Sequence, residues 1–356
     1  MSKISIYLLS AILLSTELFA KIDIEWKLAL NWKSTLTPLS SPSFKISRMV
    51  KDMSNGKFVI KIDGLEKLQP SSDIIDMVQK NNYSIAHTDS IQWKDEDINT
   101  IWFTGIPLGM TMKEQYSWFY YGGGQKYMAN VYGKFNLLAF PGGDLGSQMG
   151  GWFKKEITNI SDFNGLNVNT TGITTEILSM YKVNIKNYPT SKINDAFLNG
   201  ELDMINGTSP SMDIKIGYHK VAPYYYTSWN KPASQTQFLV NKEAYEQLPH
   251  QYQVILTTAI KAASYDLYYE NFYESLKAWD KIQKDFPNIQ IRSLPKKVLL
   301  DIQNSKKLIF EQYSKENKLF KEIYTSQKEF IDKARTWSNL EEYHYLKSLN
   351  ELKKEQ

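Results

Sequence analysis

Leu137–Glu156 reads LLAFPGGDLGSQMGGWFKKE, and its reading decides the fold. Leu137–Phe140 is apolar enough for a strand and is expected to end at Pro141. Five glycines follow within ten residues: Gly142, Gly143, Gly146, Gly150 and Gly151. Glycine is placed where φ must be positive or where another group approaches the backbone closely. A strand opening into such a segment exposes backbone N–H groups beside Asp144, Ser147 and Gln148. The segment therefore reads either as a ligand-binding turn or as a glycine-rich crossover between two lobes.

Outward from this stretch the pattern is strand–helix–strand on both sides. On the N-terminal side, Asp23–Ala29 alternates as a strand ending in Asn31-Trp32. A helix over Ser43–Met53 is stopped by Asn55-Gly56. Lys57–Ile62 is a second strand, and Pro70-Ser71-Ser72-Asp73 opens a helix with serine as its cap. Ser84–Thr88 is a third strand. The tyrosines and Trp118 of Phe103–Gln125 stand at helical spacing, as core or pocket lining, and Lys126–Tyr132 is a further helix. On the C-terminal side the pattern repeats. Leu166–Val168, Val183–Tyr188 and Leu202–Ile205 are strands; Thr174–Tyr181 and Ser191–Asn199 are helices. Gln235–Val240 is a strand returning to the first lobe. His250 to Asp285 is one long helix, Ile289–Arg292 a strand, and Pro295 starts helices interrupted at Asn317 and at Ser338-Asn339. This order implies an α/β fold with two lobes and covering helices.

The expected division is a signal peptide over 1–20, a first lobe over 21–142 plus about 236–285, a second lobe over 143–235 plus about 286–325, and a helical extension over 326–356. A length of 356 residues is enough for two cores, and 42% apolar with 22% charged residues is ordinary for a globular protein. Lys3 precedes the apolar stretch Ile4–Leu14, and Leu18-Phe19-Ala20 ends in a small residue. That is the pattern of a cleaved secretory signal, with the mature chain beginning at Lys21. The apolar run falls well short of the ~20 residues that span a bilayer. The chain has no cysteine, so neither a lipid anchor on cysteine nor thiol chemistry is open to it. A net charge of +4 with no dense basic cluster gives no reason to expect nucleic acid.

Catalytic signatures are missing too. The four histidines, His87, His219, His250 and His344, have no metal-ligand spacing, and no HExxH, GxSxG or Walker pattern occurs. His87 at a strand end reads as structural. Nothing selects a working pair among the carboxylates, so no enzyme is expected.

Tyr120–Gln125 (YYGGGQ) and Gln148–Ile157 (QMGGWFKKEI) together resemble the solute-binding component of tripartite ATP-independent periplasmic (TRAP) transporters. The resemblance runs over nearly the whole mature chain and is strongest to the branch that takes α-keto acids and related mannitol/chloroaromatic-type substrates. It implies a periplasmic protein whose two lobes close on a small polar solute and pass it to TRAP membrane permease subunits. Some members of that branch dimerise through C-terminal helices, and the aromatics of the last 50 residues suit a homodimer. The alternative is a ligand-sensing or assembly paralogue with an altered cleft.

The resemblance also implies a site, and here the chain departs from it. An arginine is expected after the Gly165-Leu166 step to hold the substrate carboxylate through two parallel hydrogen bonds, but Asn169 stands there. Arg48, Arg292 and Arg335 are the only arginines and are distant in sequence. GNTG reads Gly143-Asp144-Leu145-Gly146, and a Glu-Trp pair reads Asn206-Gly207. The paired tyrosines read Ile91-Gln92, and His-Glu after Trp229 reads Asn230-Lys231. Gln148, Trp152 and Trp229 are kept. The ligand-binding residues expected are Asp144, Gln148, Asn169, Asn206, Trp229, Gln92 and Asn31, with Trp32 as a neighbour. No cofactor is expected. Should a cation bridge the ligand, Gln148 and Asn206 are the candidates for holding it. A site of amides plus one carboxylate suits an uncharged polyol or amide, or a ligand with a positive group facing Asp144. Alternatively Asp144 faces solvent and Lys231 or a cation supplies positive charge.

Overall fold

A computed structural model describes residues 22–68, 73–186, 188, 192–227 and 229–354. The expected signal peptide falls outside these residues, and so do Ser71 and Ser72; the cap expected to be serine is instead Asp73, whose Oδ1 accepts from Ile75 N at 2.8 Å to open the helix Ile74–Gln79. Two mixed sheets organise the chain. The first holds β1 (Ile24–Leu30), β2 (Phe58–Asp63), β3 (Ile85–Thr88), β4 (Leu137–Asp144) and β10 (Gln235–Asn241), in the order β2-β1-β3-β10-β4. The second holds β5 (Gly151–Phe153), β6 (Asn167–Asn169), β7 (Asn184–Ile185), β8 (Met204–Ile205), β9 (Tyr224–Tyr226) and β11 (Gln290–Arg292), in the order β11-β9-β5-β8-β6-β7.

β4 corrects the sequence reading. It does not end at Pro141 but pairs with β10 as far as Asp144↔Gln235. Two features allow this. β4 lies at the sheet edge, so one side has no ladder partner and the missing N–H of proline costs nothing there. The register also slips between Thr236 and Gln237, where a bulge absorbs the irregular backbone. Gly142 is needed at this slip, because a Cβ there would lie 2.8 Å from the Gln237 backbone. β5 and β9 were not anticipated. Each is three residues long and exists through its neighbours: Trp152 pairs with both Ile205 and Tyr225.

The chain passes between the sheets at Leu145–Gly150 and again between β9 and β10. The helix His250–Asp285 makes a third bridge. Its first half buries Leu256, Ala259, Ile260 and Ala263 with β1 and β2 residues, while Ile282 joins the core of Trp152 and Tyr225. At 36 residues it is roughly 54 Å long, enough to run along both sheets.

The helices Lys296–Glu316 and Lys318–Ser338 fold back as an antiparallel pair. Asn317 divides them and caps the second, accepting from Phe320 N at 2.9 Å. Phe310 and Phe320 pack on Trp102 with ring centroids 5.1 and 4.7 Å away. The second helix runs through position 326 unbroken, and Gln327 is buried, donating to Trp102 O. After it come a π-helical turn, Asn339–Tyr343, and a helix, His344–Leu352, neither of which buries a residue.

Candidate functional site

The carboxyl ends of β1 and β3 face the second sheet across a narrow gap. Asn31, just past β1, is half-buried and donates its backbone N–H to His87 O at 3.1 Å. Trp32 lies edge-on to His87, 4.7 Å between centroids. His87 itself is fully buried, bonded through Nδ1 to Ser43 Oγ (3.0 Å) and through Nε2 to Thr236 Oγ1 (2.8 Å), and stacked on Phe238. Burial lowers its pKa to about 3, so it stays neutral and structural.

Beyond β3, Asp89 Oδ1 accepts from Ile91 N at 3.1 Å, while Oδ2 stands 3.9 Å from Lys231 Nζ. The side chain of Lys231 keeps only 13% exposure. Ile91 reaches across to Gly172, whose φ of +65° and lack of a Cβ make room for it. Lys94 and Glu176 pair across the same gap at 2.5 Å. Gln92 is exposed.

From the second sheet, Asn206 Nδ2 donates to Thr170 Oγ1 at 2.9 Å, leaving Asn206 Oδ1 buried without a donor among the described residues. Asn169 Nδ2 is engaged with Lys186 O at 2.7 Å, along the strand edge. Gly207 follows Asn206 because a Cβ there would lie 2.6 Å from Asp213 Oδ2. Asp213 is buried and accepts from Thr208 N, Trp152 Nε1 and Tyr225 OH at 2.8, 2.9 and 3.0 Å. It fixes the Trp152–Tyr225 stack, 4.0 Å apart, and burial raises its pKa to about 6.

Both crossing segments are tied together at the base of the gap. Gln148 N donates to Lys231 O at 2.9 Å, and Trp229 Nε1 to Gly150 O at 2.8 Å. Asn230 Oδ1 accepts from Thr174 Oγ1 at 2.6 Å. Asp144 is fully buried: Oδ1 accepts from Gly146 N (2.6 Å) and Ser234 N (2.9 Å), and Oδ2 has no donor among the described residues. Burial pushes its pKa up to about 7, against the two backbone donors that oppose the rise.

Among the described residues no hydrogen bond joins Asp144, Gln148, Asn169 and Asn206 to one another. Gln148 adjoins Lys231, Asn206 adjoins Thr170, Trp229 is packed into the crossing, and Asp144 clasps its two strands. Arg292 pairs with Glu156 and Arg335 with Glu114, both elsewhere, and Arg48 is exposed on its helix. Sequence reasoning passed over Asp89 and the Thr170–Asn206 contact. The available signal for Asp89 was the polar run Thr88-Asp89-Ser90 at the carboxyl end of a parallel strand, where α/β sheets place their ligands.

A two-sheet protein with three crossings and a polar gap between them matches a known model. Residues 31–316 fit the family described as bacterial extracellular solute-binding protein, family 7. The chain belongs to this family. Its members are binding proteins, not enzymes, and solved relatives are TRAP periplasmic solute-binding proteins. One, from Colwellia psychrerythraea with bound calcium and pyruvate, is 38% identical with a TM-score of 0.89, covering 92% of this chain and 99% of that one. A Bordetella bronchiseptica protein, a mixed-occupancy dimer with calcium and picolinate, is 26% identical with a TM-score of 0.87, covering 94% and 100%. A monocarboxylate 2-oxoacid-binding periplasmic protein of Nostoc is 29% identical over 324 residues, 91% of this chain and 88% of the relative. This TRAP solute-binding protein thus keeps the scaffold of its relatives.

Proposed function

We propose that the protein is exported, loses residues 1–20, and feeds a TRAP permease with a small polar carboxylate or zwitterion anchored by Lys231. Residues 21–142 with 236–285, and 143–235 with 286–325, would close as two bodies. The observation that carries the ligand reading is the placement of Lys231, an ammonium at 13% exposure within 3.9 Å of Asp89. An ammonium beside a carboxylate offers one site of each sign. A bidentate arginine is not on offer, so bare 2-oxoacids lose a charge-assisted hydrogen bond of roughly 1.5–3 kcal/mol, one to two decades of affinity.

Relatives hold calcium with their carboxylates. Here the oxygens without a donor include the neutral Asn206 Oδ1 and Asp144 Oδ2, and among the described residues no three His, Cys, Asp or Glu side chains gather around a common point. That donor set fits a divalent ion poorly, because Asp89 already faces the Lys231 ammonium and burial pushes the Asp144 pKa up to about 7, against its charged form. Binding should therefore survive chelation.

The test is calorimetric titration of ligand-free protein with pyruvate and with α-amino acids, with and without EDTA, for wild type and Lys231→Met. Pyruvate is expected to bind more weakly than micromolar, and Lys231→Met to abolish carboxylate binding at the cleft. Micromolar pyruvate binding that EDTA removes overturns this reading.

The exposed Trp337, Leu340, Tyr343, Leu346 and Leu352 also favour a homodimer through the last two helical segments.

A further inference from the structure

A second cavity lies away from the cleft, between the helices Lys296–Glu316 and Lys318–Ser338 and the loop Ile106–Gly109. Its volume is about 350 Å³, near the lower end of small-molecule sites at ~300–1,000 Å³. Four cations line it, Lys306, Lys307, Lys328 and Arg335, against the single carboxylate Asp332. Leu108, Tyr324 and Ile331, half-buried over Trp102 and Phe310, form an apolar wall.

Lys306 is the residue that a purely structural role explains least well. Its Nζ donates to Pro107 O (2.8 Å) and Leu108 O (3.2 Å), both neutral acceptors. Among the described residues no carboxylate lies within ion-pair distance of it. Burial, and then the nearby Arg335 charge, bring its pKa down to about 8. Arg335 is itself committed to Glu114 Oε1 (3.2 Å) and Gly109 O (2.7 Å), and Glu114 also accepts from Thr111 N in a capping box. A desolvated ammonium beside a guanidinium is costly, and an anion between them offsets both terms. Clipping two carbonyls would need only a neutral donor.

We infer that this cavity is a second ligand site, taking a small organic carboxylate with its charge at Lys306 and Arg335 and its apolar body on Leu108, Tyr324 and Ile331. An inorganic oxyanion would meet the same charges but leave the apolar wall uncovered. The site also bears on the cleft: Leu108 N donates to Trp229 O at 3.0 Å, and Gly105 approaches the Ala233 carbonyl too closely for any side chain. An occupant would brace the segment that crosses between the sheets.

The experiment uses benzoate and inorganic phosphate as probes, titrated calorimetrically into the full mature chain. Wild type, Lys231→Met, Lys306→Met and the rim double variant Lys307→Gln/Lys328→Gln are compared. Benzoate should bind this cavity in wild type and Lys231→Met alike, since the substitution leaves it untouched, while any benzoate bound at the cleft is lost from Lys231→Met. Binding should weaken by about tenfold or more in Lys306→Met and measurably in the rim variant, which tests the charge requirement should Lys306→Met fail to fold. Phosphate should bind less tightly than benzoate. No benzoate binding to wild type at millimolar concentration, its complete loss in Lys231→Met, its persistence in both cavity variants, or phosphate binding as tightly as benzoate overturns the inference.

Discussion

Asp144 gives the sharpest test of how this chain differs from the pattern it resembles, which has an amide at that position. Asp144→Asn should stabilise the ligand-free protein, and more so at high pH. The carboxyl pKa rises from 3.8 to about 7 on folding. That is about three units at 1.36 kcal/mol each, a ceiling of about 4 kcal/mol for burying the charge. The folded state binds this proton more tightly than the unfolded state. Below pH ~4 both states are protonated and nothing is lost; from about 4 to 7 stability falls; above about 7 the full penalty is present. Asparagine carries no such penalty, and its Oδ1 can still accept from Gly146 N and Ser234 N. The gain at pH 8 should therefore exceed the gain at pH 5 by about 2–3 kcal/mol. Two other buried groups titrate nearby. Asp213, raised to about 6, has the same sign, whereas His87, lowered to about 3, costs stability as pH falls below its ordinary value. Both are present in wild type and variant, so the difference isolates Asp144. Urea unfolding at pH 5, 6.5 and 8 measures it. A difference that does not vary with pH, or a variant less stable than wild type at pH 8, refutes the reasoning.

Asp213→Ala should strand three buried donors, Thr208 N, Trp152 Nε1 and Tyr225 OH, costing ~2–4 kcal/mol; a loss under about 1 kcal/mol in urea unfolding at pH 7 would contradict this. Ending the chain at Ser338 should preserve the fold, because nothing beyond is buried, yet convert a dimer to monomer by light scattering. Removing the chain from Gln327 onward should damage the core as well, since that side chain bonds Trp102 O; a full-length protein that is already monomeric disposes of the dimer.

Elements governed by neighbouring residues were open to reading from the sequence alone. The helix His250–Asp285 was expected over the same residues because its ends carry their own signals, Pro249 before it and Pro287 two residues after it. The stop at Asn55-Gly56 is equally local: both residues take positive φ, which these two types tolerate. Phe238–Val240 marks the strand Gln235–Asn241 in the sequence, although the burial of Gln235 and Gln237 follows from its place between β3 and β4. The family likewise needed only residue identities.

What the tertiary structure decided was every matter that depends on a distant neighbour. β4 continues past Pro141 because it lies at an edge, and an edge is a property of the sheet. Gly151–Phe153 and Tyr224–Tyr226 are too short to be strands except against each other. Lys231 finds Asp89, Trp102 finds Phe310 and Phe320, and Lys306 finds the Pro107 carbonyl only once the chain has closed. Asp144 is the clearest case. Its sequence announces a carboxylate in a glycine loop, but burial and two backbone donors make it a clasp between crossing strands, since desolvation is set by surroundings that no local pattern encodes.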